Sequence, residues 1–338
     1  MQAEPLLHWS EPALELAGFI GQFLTAGAIG FRFFPLRGRA DSAETYYDEA
    51  SRRSATLGVI GALVSLALML GQLPALALRR HTSATALITG DALTGIQLSF
   101  LVLALIGFVL AVLRIQFGWR LAAVSVVAGA LRAGFVGKWI SLINPIHVLA
   151  AGLWIGTLFV LVVAGLVPLL ARDDLRERRG ALAADLVNGF SPLALSMGGV
   201  VVLFGVITAW RHLHVLSALW TTPYGYALMI KLCVVATVFG LGAWNWRRQR
   251  PTLGSDVAAA SIRRSATAEL IVAAIVLVIT AVLVSLPSPK DPARTPPPSA
   301  AESSGPLLAS VTPSLNFPRT VGRDEPASRS FSRVRGVS

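Results

Sequence analysis

Pro145-Ile146-His147-Val148-Leu149-Ala150-Ala151-Gly152-Leu153-Trp154-Ile155-Gly156 opens an apolar run that continues to about Leu170, long enough to cross a bilayer as a helix. An ionisable side chain at the mouth of such a run is expensive in hydrocarbon and tends to be functional. On an α-helix, His147, Ala151 and Trp154 share a face at i, i+4 and i+7. The small residues Ala150, Ala151, Gly152 and Gly156 let neighbouring helices approach closely. The chain reads as a membrane bundle gathered around this helix.

Composition agrees. Of 338 residues, 54% are hydrophobic and 14% charged, against about 25% charged in a soluble domain; the mean hydropathy is +0.66. Apolar runs recur at roughly 12–34, 55–78, 96–113, 119–140, 145–170, 190–211, 223–246 and 267–286. They predict an all-α polytopic bundle of about eight transmembrane helices over residues 1–286. From Pro287 the sequence turns Pro/Ser-rich, and 287–338 is expected to be a disordered tail.

Loop charges give the expected orientation. The loops after the odd spans carry Arg37, Arg39, Arg52 and Arg53, then Arg114 and Arg120, then Arg172, Arg176, Arg178 and Arg179, then Arg247, Arg248, Arg250, Arg263 and Arg264. The loops after spans two, four and six carry Arg79, Arg80, Lys138 and Arg211. The asymmetry puts the first set in the cytoplasm and both termini, tail included, on the extracytoplasmic side. Met1–Glu11 holds Glu4 and Glu11 without Lys or Arg, the reverse of a signal peptide's basic start, so the first span is expected to be retained. Trp9, Trp119, Trp139, Trp210, Trp220, Trp244 and Trp246 fall near span ends, as an aromatic belt does. The net charge of +11 is thereby explained by topology and anionic headgroups, and no nucleic-acid partner is expected. The single cysteine, Cys233, excludes an intrachain disulfide and thiolate clusters.

With this topology His8, His81, His147, His212 and His214 all lie at the extracytoplasmic end. Imidazole is the commonest side-chain metal ligand, and the five are candidate ligands with His147 central. Met229 and Cys233, i and i+4 on span seven, add soft sulfur suited to Cu(I). Met69 and Met197 are embedded too, where methionine is mostly packing filler. Glu15, Arg132 and Lys231 sit inside spans, where charge is penalised. Either they snorkel, or they line an outward-opening polar cavity with Asp91, Gln97 and His147. Two cations there would repel a bare metal ion unless acids offset them. No Ser/His/Asp or Cys/His arrangement supports catalysis, so no enzyme is expected.

Two segments resemble the CopD family of copper-resistance membrane proteins. His147 through Gly156 looks like the family's His-led helix ending in Trp-x-Gly. Phe190-Ser191, Gly205, Thr222-Pro223-Tyr224-Gly225, Lys231 and Asn245 are similar to its landmarks across three later helices. The likeness covers about 141–250, with 1–140 similar in span pattern only. It departs at Phe204, where a threonine often precedes the glycine, and at Thr157, where a second glycine is common. The resemblance implies copper, transported or transiently bound, moving across a bacterial inner membrane, often with a small periplasmic copper carrier. Lys231 and Tyr224-Gly225 recur among the family's landmarks, and with Trp154 they are candidate structural or pathway residues. The alternative is a non-transporting delivery factor that hands copper to a respiratory enzyme. A haem- or quinone-linked redox protein fits less well, because bis-histidine haem needs two facing imidazoles and only His147 lies in a span.

Overall fold

A computed structural model describes residues 10–38, 45–213, 217–221, 225–226, 228–237 and single positions (240, 267, 271, 274, 275, 278 and 280). Helices α1 (Ser10–Phe33), α2 (Thr45–Arg79), α3 (Ala84–Gly90), α4 (Ala92–Val112), α5 (Gln116–Ala130) and α6 (Arg132–Phe135) come first. A 3-10 turn, Trp139–Leu142, then leads into α7 (Ile143–Ala151), α8 (Thr157–Val160) and α9 (Val167–Ala171), joined by π turns at Gly152–Gly156 and Leu161–Leu166. The last described elements are α10 (Arg179–Leu213), α11 (Ala218–Thr221) and the helix Leu228–Thr237. No strand occurs among the described residues.

Among the described residues, five stretches are long and apolar enough to span a membrane: Pro12–Phe33, Thr45–Arg79, Ala92–Val112, Trp139–Ala171 and Asp173–Arg211. They coincide with predicted spans one, two, three, five and six. The chain is a multi-pass helical membrane protein. Predicted span four is different. The apolar run 119–140 is broken at Leu131, where α5 ends and the four-residue α6 begins. Arg132 sits at that break and donates to the Gly129 carbonyl at 3.1 Å. Predicted spans seven and eight are described only in part, and the tail lies outside the described residues.

Residues without side chains set the crossings. A Cβ on Gly156 would lie 3.1 Å from Gly27 Cα and overlap the Phe23 carbonyl; one on Gly152 would touch the Ala26 Cβ at 3.1 Å. The small residues read from the sequence thus seat this span on α1. Thr157, fully buried, donates to the Gly27 carbonyl at 3.5 Å. That contact gives a reason for threonine at a position where the family resemblance suggested glycine. Contacts rise together along α1 and α7–α8 (Phe23 with Gly152, Gly27 with Gly156, Gly30 with Thr157), so the two run parallel. On α2 the order reverses, with Gly21 against Ser65 and Leu24 against Gly61, so α2 is antiparallel to α1.

Two apolar clusters result. One joins Phe31, Tyr47, Leu161, Leu166, Leu186 and Leu193, and the other joins Ala28, Ala55, Phe108, Trp119 and Ala122. Apolar side chains such as Ile106 on α4 and Leu203 and Val206 on α10 remain exposed and form the surface expected to meet acyl chains. Trp139, Trp210 and Trp220 are exposed like belt residues. Trp119 corrects the belt expectation, because it is buried with its ring edge-on to Phe108 at 6.1 Å.

Asp91 caps α4. Its carboxylate accepts from the Thr94 amide at 3.3 Å and from the Thr94 hydroxyl. The hydroxyl bond, chiefly, holds the carboxyl below its ordinary range. A carboxyl lowered by folding contributes stability above its unfolded value, about pH 3.9, and loses it as pH falls through the folded value. Asp91→Ala is therefore expected to destabilise by about 1 kcal/mol at neutral pH. Thermal unfolding midpoints of the two proteins should converge once the wild-type carboxyl is protonated.

Candidate functional site

His147 lies in the first turns of α7, where α7 packs on α10. Its Nδ1 is 3.0 Å from the Val201 carbonyl oxygen. A helical carbonyl at residue i is shielded by the side chain at i+4, and four residues after Val201 stands Gly205. A Cβ there would meet the His147 ring at 3.0 Å (Cε1) and 3.4 Å (Nδ1). Glycine therefore uncovers the carbonyl and makes room for the imidazole in one step.

A carbonyl only accepts, so the hydrogen bond assigns the proton to Nδ1 and leaves the lone pair on Nε2. A backbone acceptor behind one ring nitrogen is the usual arrangement that orients a metal-binding histidine through the other. Lys231 is near enough to act on the ring electrostatically.

The helix registers show where the other candidates stand. Since α2 is antiparallel to α1 and α10 is antiparallel to α7, His81 after α2, His147 on α7 and His212 on α10 lie at one end of the bundle. They are not level. His212 is seven residues beyond Gly205, about 10 Å along the axis at 1.5 Å per residue, on the same face of α10. The two ends are tied by Arg211, which donates to the Ile140 carbonyl at 3.0 Å. His81 is exposed, in the left-handed region at φ 51°. His8, His214 and Tyr224 lie outside the described residues.

Among the described residues, no three His, Cys, Asp or Glu side chains gather as a metal cluster. Met229 is half-buried and Cys233 exposed on the helix Leu228–Thr237. Met197 packs against the Phe31 cluster, as filler would. Trp154 packs there too. The π turn from Gly152 rotates less per residue than an α turn, so the α-helical register expected for His147, Ala151 and Trp154 does not hold through Trp154. Glu15 is exposed on α1, Asp91 is engaged by Thr94 and lies 4.0 Å from Arg80, and Arg132 binds backbone. The Val201 carbonyl was invisible to side-chain reasoning. Gly205 was visible as a landmark, without its physical role.

Gly205 falls within the stretch matched, over residues 184–283, by the family model described as "Copper resistance protein D". Residues 184–283 are thus similar to the CopD family. Phe190, Ser191, Gly205, Tyr224, Gly225, Lys231 and Asn245 lie inside that stretch, while His147 and Trp154 precede it. The matched stretch overlaps the 141–250 read from the sequence over residues 184–250. The chain is also 32% identical over 158 residues to "Copper transport protein CutJ" of Bacillus subtilis (strain 168), covering 46% of this chain and 27% of the relative. The aligned part thus spans about a quarter of that relative's length. No solved structure matches.

Proposed function

We propose that this chain handles copper ions in a bacterial inner membrane, capturing them at His147 Nε2 near the extracytoplasmic end and passing them across the bilayer. The carrying observation is the His147–Val201 hydrogen bond, which leaves one ring nitrogen ready to bind a metal, on a helix packed against the CopD segment. The names of the matching family and relative supply copper as the cargo. A single imidazole near an ammonium holds a cation weakly, and a pathway needs entry sites weak enough to release. Further ligands at entry would come from His212, His214, His8 or His81, with Met229 and Cys233 as softer groups beyond. The arginine-rich loops support the cytoplasmic assignment of the other end. In this reading the chain is a permease, not an enzyme, supplied with copper by a small periplasmic carrier.

Titration of the purified protein with Cu(I) and with Cu(II), beside His147→Ala, tests this. The substitution is expected to weaken the tightest site by about tenfold or more. Unchanged stoichiometry and affinity would remove His147 from the account. Copper uptake into proteoliposomes separates a permease from a delivery factor serving a respiratory enzyme, which should show none.

A further inference from the structure

At the opposite end of the bundle, α1, α2, α4 and α5 line a half-open pocket of about 30 Å3 whose lining includes Arg32, Asp48, Arg52, Arg114, Gln116 and Trp119. It is remote from His147 and plays no part in the copper reading. Among the described residues, Arg32, Arg52 and Arg114 contribute to its lining beside a single carboxylate, Asp48. That carboxylate bridges Arg114 at 2.7 Å, while Arg32 donates to the Gln116 side chain at 3.2 Å.

Its geometry is built rather than incidental. Arg114 adopts φ 66°, a left-handed conformation that disfavours long side chains, in the turn that brings α4 back into α5. The buried Trp119 indole, braced against Phe108, forms a rigid wall. The pocket is small and half open, so a bound group would insert its oxygens and leave the rest outside. Planar guanidinium forks bind phosphate oxygens in this way, and basic pockets between helices on the cytoplasmic side accept anionic headgroups.

We infer that this pocket binds a phosphate group through Arg32, Arg52 and Arg114, as a phospholipid headgroup or as free phosphate.

Native mass spectrometry of the full chain in neutral micelles doped with phosphatidylglycerol tests it. The wild type is expected to retain one lipid, and Arg32→Gln/Arg52→Gln to lose about tenfold or more in retention. Arg52→Gln alone, at an exposed position, guards against misfolding and should show a smaller loss. Arg37→Gln lowers the charge of the same end without touching the pocket and should bind as wild type does. Inorganic phosphate that displaces the lipid only from proteins with the intact pocket identifies free phosphate as a sufficient ligand; failure to displace it identifies the headgroup. Equal retention by wild type and double variant, or no adduct and no phosphate binding by either, overturns the inference.

Discussion

Gly156→Leu is expected to stop the protein from accumulating as a folded membrane species. The new Cβ would run into the Phe23 carbonyl and lie 3.1 Å from Gly27 Cα. These obstacles are backbone atoms of α1, so no rotamer change relieves them. Overpacking a core side chain costs about 1–3 kcal/mol, and a clash of backbone on backbone belongs at or above the top of that range. Such a loss is a large part of a folded state worth about 5–15 kcal/mol. Gly199→Leu is the control, since nothing lies within 4 Å of the Cβ it would add. Yield of monodisperse detergent-extracted protein and its unfolding midpoint read the result. A Gly156→Leu protein that extracts and melts like Gly199→Leu would refute the close crossing.

Gly205→Val is expected to uncouple copper binding from stability. Even the first carbon of the new side chain meets the His147 ring at 3.0 Å, and the branches cover the Val201 carbonyl as well. The imidazole then loses its place and the hydrogen bond that fixes Nε2. Copper affinity should fall about as far as in His147→Ala. Meanwhile α10 loses a mid-helix glycine, which costs about 0.5–1 kcal/mol relative to alanine, and that offsets part of the crowding at the ring. Gly205→Ala should sit between, because the ring needs to give by only a few tenths of an ångström. Combined with His147→Ala, Gly205→Val should weaken copper binding no further, as expected when two changes remove one interaction. Fully additive losses would show that Gly205 acts elsewhere.

Much of the bundle is legible because hydrocarbon imposes a length and a composition on every crossing. Hence the matches at Pro12–Phe33, Ala92–Val112 and Trp139–Ala171. The break at Leu131 is not legible in the same way, since residues 119–140 are apolar on both sides of it and no proline marks the turn. Trp119 misleads for a related reason. A tryptophan near a span end satisfies the belt pattern whether it faces lipid or Phe108, and sequence does not distinguish the two. At the candidate site, His147 announces itself as a polar residue in an apolar run. Its partner does not, because the acceptor is a main-chain oxygen 54 residues away that any residue could supply. The informative letter is the absent side chain of Gly205, whose meaning appears only when α7 lies against α10.

The crossing at Gly27 and Gly156 also limits how the bundle can move. Main chain rests on main chain there, with no side chains between to swing aside or act as a bearing. Sliding or tilting of α1 against its parallel neighbour would collide at once, so the pair travels as a single rigid body. The imidazole stands on that body, while its acceptor stands on α10. If the ring takes an ion, as proposed, the opening that admits it would come from displacement of α10 against that body.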